Sequence, residues 1–139
     1  MTPIHWYTIA ICFSPLAARV IIDRHTIVKR QVPVPHLDHT ILSGITILLV
    51  STFLWMLDKV DFFRCVVFVY FFGFIPWFDY LINIFTGKNW YYVPDLDDRD
   101  ASWWDRWRLK MNWLGELFFK FIIGFIGYAV YYQWQKILG

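Results

Sequence analysis

The chain reads as an all-α membrane protein with four transmembrane helices and a Trp-rich interfacial amphipathic helix before the fourth. Three observations predict this. First, 58% of the 139 residues are apolar and 17% charged, against about 45–50% and about 25% in a soluble domain. A globule this small exposes too much surface to hide that excess. Second, the apolar residues collect in four runs of span length. Third, those runs are continuous, as in VVFVYFFGFI, and do not alternate as the strands of a membrane barrel would. In lipid every backbone polar group must be satisfied within the protein, and a helix does this by itself. The same composition excludes intrinsic disorder. One polytopic domain over residues 1–139 is expected.

The first span is expected at about residues 4–22, with Pro15 inside it and Arg19 near its end. A signal peptide is the rival reading, but the run lacks a basic leader region and a small-residue cleavage site. The second, 40–57, carries no charge. The third, 62–85, is interrupted by Arg64, Pro76 and Asp79. The fourth, 113–134, has Glu116 and Lys120 in its first turns. All four meet the requirement of about 17–25 residues. Pro15 and Pro76 each remove an N–H donor and predict a local break. The break at Pro76 would turn the nearby Asp79 inward.

The segment 86–112 is the only sizeable connection. It opens with GKNWYYVP, an aromatic stretch suited to the headgroup region, and passes through the acidic PDLDDRD. The following ASWWDRWRLKMNW predicts a helix with Asp100 or Ser102 as N-cap. Trp103, Trp107, Met111 and Leu114 then form one apolar stripe at helical spacing, with Asp105, Arg106, Arg108 and Lys110 mostly off it. Such a helix lies in the interface and leads into span four; the alternative is a helix packed on a partner protein. Trp90, Trp103, Trp104, Trp107 and Trp113 are the expected interfacial anchors.

With four spans, the first and third connections share a side. That side holds nine Lys/Arg (Arg19, Arg24, Lys29, Arg30, Lys88, Arg99, Arg106, Arg108 and Lys110), and the other holds Lys59, Arg64 and Lys136. Basic residues favour the cytoplasmic side, so both termini are expected to face away from it. An inner or cytoplasmic membrane is the expected location.

The polar outliers gather on the same basic side. Asp23 closes span one, and His36 and His39 precede span two. Asp79 and Asn83 stand four apart at the end of span three, and Glu116 and Lys120 four apart at the start of span four. Ionisable groups in a bilayer are costly and usually face partners inside the bundle. Three readings compete for this cluster. A structural network would pair Asp79 with Arg19, Lys120 or a histidine, and Glu116 with Lys120. A zinc or iron site would use His36, His39, Asp79 and Asp23. A proton or ion path would run through Asp79.

Other chemistry finds little support. The net charge of +2 and the lack of a basic run in a polar context argue against nucleic-acid binding. Cys12 and Cys65 sit in apolar runs and read as small buried hydrophobes. The acidic run from Asp95 places Asp100 and Arg106 where a calcium-binding EF-hand loop needs Gly and Glu. His5 stands too far to the end of its run to suggest a haem ligand, and no cofactor is expected. Gly124 and Gly127 are three apart rather than four, so the GxxxG dimerisation motif is absent there. No nucleophile stands beside a base.

The runs AARVIIDRH with VKR, WFDYLINIFTGKNWYYV and ASWWDRW resemble small four-span membrane proteins of unassigned function from bacteriophages and Bacteroidota-type bacteria. The resemblance covers about half the chain. It implies the four-span topology and draws attention to Asp23, His36 or His39, Asp79, Asn83, Gly87 and Asp105. The leading expectation is a non-enzymatic membrane subunit with a structural or assembly role in a larger or homo-oligomeric complex. Its partners would be the bilayer and other membrane proteins or further copies of itself. The alternatives are a holin-like or ion-conducting pore and a membrane-embedded metal-dependent enzyme using His36, His39 and Asp79.

Overall fold

The structure, a computed structural model, describes residues 6–29, 36–92 and 103–132, with the side chains of Lys29, His36, Leu37, Asp38 and Trp103 outside that description. Four helices are long and apolar enough to cross a membrane: Trp6–Val28, His39–Asp58, Phe62–Phe85 and Trp113–Tyr132. The first runs six residues past the expected end at Ile22, because helical hydrogen bonding continues through Arg24 into a π-helical turn, His25–Lys29. No strand occurs among the described residues.

Both intramembrane prolines break their spans, and both breaks are repaired by a neighbouring side chain. In span one, α1 (Trp6–Cys12) ends and α2 (Ser14–Arg24) begins around Pro15. Pro15 has no N–H for the carbonyl four residues back, Ile11 O. The Ser14 hydroxyl donates to that carbonyl at 2.7 Å. Span two is one helix, α3 (His36–Asp58). Span three comprises α4 (Phe62–Val67), a π-helical segment (Phe68–Phe74) and α5 (Phe78–Phe85). Pro76 leaves Phe72 O without its donor, and the Trp77 indole N–H supplies one at 2.9 Å. Side-chain donors of this kind are how helix breaks survive in lipid, where an unpaired carbonyl is expensive.

Span three is the centre of the bundle. Of its apolar stretch 44% is buried, against 39%, 22% and 17% for spans one, two and four. Lipid is as apolar as leucine, so packing and hydrogen bonds must hold these helices together. Two glycines let backbones close in. A Cβ on Gly73 would lie 2.3 Å from Cys12 O in span one, and a Cβ on Gly127 would lie 2.8 Å from Phe72 N. Thus Gly127 serves span packing within the chain, although its spacing from Gly124 matches no dimerisation motif. Phe68, fully buried, stacks on Phe72 and Tyr131 with centroids 5.1 and 4.3 Å apart. Cys12 and Cys65 are buried free thiols within this core.

Hydrogen bonds between span ends set the up-and-down order. Tyr7 and Thr8 at the start of span one, and Tyr131 at the end of span four, donate to Asp58 at the end of span two. At the opposite membrane face Arg24 Nε donates to Phe85 O, joining the ends of spans one and three. Spans two and three are joined by a tight turn in which Lys59 takes a left-handed φ of 54° and Asp61 caps α4 by accepting from Phe63 N at 3.0 Å.

The helix expected before span four is present as α6 (Trp103–Lys110), and α7 (Trp113–Tyr132) forms the span. The stripe from Trp103 to Leu114 does not lie on one helix, however. The chain breaks at Met111–Asn112, and the Asn112 side chain caps α7 by accepting from Gly115 N at 2.7 Å. An asparagine is a good cap and a weak helix former, so it wins over the stripe. The proposed caps Asp100 and Ser102 and the acidic run 95–100 lie outside the described residues.

Candidate functional site

Among the described residues, two buried polar clusters form on the membrane side that holds α6. The larger centres on Lys120. It lies one turn into α7 from Glu116, so both side chains point the same way toward span three. The break at Pro76 restarts the helix with Asp79 in the first turn of α5. Lys120 Nζ lies 2.9 Å from Asp79 Oδ2 and 3.0 Å from Glu116 Oε1. It also sits 3.8 Å from the centroid of the Tyr80 ring, a cation–π contact that occupies its remaining face. Lys120 and Glu116 are 1% and 2% exposed.

Arg108 of α6 closes the network. Its Nε donates to Glu116 Oε1 at 2.7 Å, and NH1 lies 3.8 Å from Asp79 Oδ2 and 3.9 Å from Asp105 Oδ1. The Trp104 indole N–H donates to Asp79 Oδ2 at 2.9 Å. Trp107, one turn from Trp104, stacks on it at 4.9 Å and meets Phe119 of α7 edge-on at 4.7 Å. One face of α6 is therefore fixed to spans three and four. Arg106, Leu109 and Lys110 are on its exposed face.

The smaller cluster joins spans one and two. Arg19 and Asp23, four apart on α2, are ion-paired and buried. His39 Nδ1 lies 2.9 Å from Asp23 Oδ2 and 3.3 Å from Arg19 NH2. The His39 ring packs against Phe78 at 4.6 Å. Thus His39 is joined to Asp23, while Asp79 is joined to Lys120. The His36 side chain lies outside the described residues. Among the described residues no group of three or more His, Cys, Asp or Glu side chains converges as a metal-holding set.

Asn83 has a different task from Asp79. The end of α5 carries paired carbonyl contacts, Lys88 N to Asn83 O at 2.8 Å and Gly87 N to Ile84 O at 3.1 Å. Gly87 at φ 80° makes this αL ending possible. The chain then folds back, and Asn83 Nδ2 donates to Trp90 O and Tyr92 O at 3.1 and 2.8 Å. This seats Trp90 edge-on against both Tyr80 and Trp113, at 5.2 and 6.2 Å. Of the remaining expected anchors, Trp113 is 55% exposed, and the Trp103 side chain is outside the description.

The structure therefore brings Asp79, Glu116 and Lys120 together, and Asp23 and His39 together. Two participants escape the sequence reading as site residues. Arg108 was placed on the polar, outward side of its helix, but it is 3% exposed. Its spacing of four from Trp104 was the available signal. Asp58, which accepts from three hydroxyls, stands one residue past the expected end of span two and carries no role in the sequence analysis. In the larger network each carboxylate faces a cation, and the ammonium is shared by two carboxylates and a ring, while Arg108 NH2 is buried without a hydrogen-bond partner. Comparison of the chain with family models, curated proteins and solved structures finds no match.

Proposed function

We propose that the protein is a non-enzymatic integral membrane subunit with a structural or assembly role in a larger or homo-oligomeric membrane complex. The observation that supports this most is the enclosure of Lys120 between Asp79, Glu116 and the Tyr80 ring. A catalytic or conducting group must be free to exchange a proton or ligand, and this ammonium is held on every side. Buried charge used this way fixes one arrangement of helices, here α6 against spans three and four. What faces outward is apolar: Leu48, Leu49, Phe53 and Met56 of span two, and Phe118, Phe121 and Phe125 of span four. The excess of Lys and Arg on the α6 side supports a cytoplasmic location for that side.

The test is purification of the tagged full-length chain in mild detergent, with the particle mass and co-purifying proteins measured. The proposal expects a particle heavier than one chain plus its detergent. A lone monomer without a stoichiometric partner overturns it.

A further inference from the structure

A cavity of about 170 Å³ runs between spans three and four, beginning at the Pro76 break. Its walls include Phe72, Pro76, Trp77, Leu117, Phe121 and Tyr128, with Gly124 at its floor. Lys120 also lines it, but its ammonium is turned to Asp79 and Glu116, so the wall receives the aliphatic stem. Along α7 the cavity reaches from Leu117 to Tyr128, about 16 Å at 1.5 Å per residue. One leaflet of the hydrocarbon core is about half of roughly 30 Å deep. Span four runs from Trp113 to Tyr132, so the groove opens one turn inside the α6 end and continues past the middle of the bilayer, within reach of a single extended chain anchored at that end.

Its size and chemistry select the occupant. A helix about 10 Å across does not enter such a volume, and apolar walls do not hold water. A single methylene chain meets both conditions. At the α6 end of span four, Arg106 and Lys110 are exposed, and clustered cations at a membrane surface attract anionic headgroups. We infer that the groove between spans three and four binds one acyl chain of an anionic glycerophospholipid from the leaflet on the α6 side, with its headgroup at Arg106 and Lys110.

The test is native mass spectrometry of the full chain, reconstituted in vesicles of equal phosphatidylglycerol and phosphatidylethanolamine and re-extracted in mild detergent. The wild type is expected to retain one phosphatidylglycerol per chain. A Cβ at Gly124 makes only ordinary contact, 3.5 Å from Pro76 Cγ, so Gly124→Ala keeps the lipid. Gly124→Leu fills the groove and loses it. Leu117→Trp, at a position 39% exposed, blocks the α6 end away from the close helix contact and predicts the same loss. The double variant Arg106→Gln/Lys110→Gln keeps one lipid but loses the preference for phosphatidylglycerol. A wild type without retained lipid, or filled variants that retain it with unchanged helical circular dichroism, overturns the inference. So does a preference unchanged in the double variant, or a dimer of this chain that the filled variants abolish.

Discussion

Replacing Lys120 by methionine keeps an unbranched apolar stem while removing the ammonium. Asp79 Oδ2 and Glu116 Oε1, now 2.9 and 3.0 Å from that ammonium, are left buried with Arg108 as their shared cation. Removing one partner of a buried ion pair costs about 3–5 kcal/mol, because the other charge stays desolvated. Asp79 keeps the Trp104 indole as a donor, which places the expected loss near the lower end, about 3 kcal/mol. Asp79→Asn in the same chain removes the stranded charge. The double variant should therefore be more stable than the sum of the single effects predicts, by a coupling of about 0.5–3 kcal/mol. The assay is reversible unfolding in detergent micelles, followed by circular dichroism and tryptophan fluorescence. If Lys120→Met changes stability by less than about 0.5 kcal/mol, the range of ordinary surface substitutions, the network has no structural role. Strict additivity in the double variant would refute the pairing with Asp79.

Arg108→Lys should behave nearly as badly as Arg108→Ala, because a point ammonium cannot reach Glu116, Asp79 and Asp105 together as the guanidinium fork does; limited proteolysis should then cut within 103–110 in both variants and not in the wild type. Asp58→Ala leaves three hydroxyl donors from spans one and four without their acceptor and should cost about 1–3 kcal/mol, while Tyr131→Phe should cost about 1 kcal/mol, both read by the same unfolding assay. Trp77→Phe leaves Phe72 O unpaired at membrane depth and should cost about 1–3 kcal/mol; adding Pro76→Ala restores a backbone donor and should recover part of that loss, and no recovery would mean that the indole bond does not compensate for the proline.

The four spans were legible because bilayer thickness imposes one length on them and lipid imposes one composition. The pairing of Lys120 with Asp79 and Glu116 was legible for the same reason, since a charge in an apolar run has few places to go. Arg108 was not. Its helix was read through Asn112 as one stripe, and a stripe that continues to Leu114 puts Trp103 and Trp107 inward and arginine outward. The Asn112 cap ends that helix early, and two tryptophans and an arginine then share the packed face. The Asp58 contacts were also illegible, because they join residues 51, 50 and 73 positions apart through hydroxyl groups. Tyrosine and threonine in a span carry no sign of which carboxylate they meet. The placement of His39 beside Asp23 follows from the tight approach of spans one and two, a detail of packing that hydropathy does not encode.

The assembly role is tested most directly by photo-crosslinking in intact membranes, with a photoreactive side chain at Leu109 on the exposed face of α6 or at Phe118 on span four, which is 68% exposed. A discrete protein adduct, to another membrane protein or to a second copy of the chain, is expected at one of these positions at least. Crosslinks to lipid alone from both would contradict it.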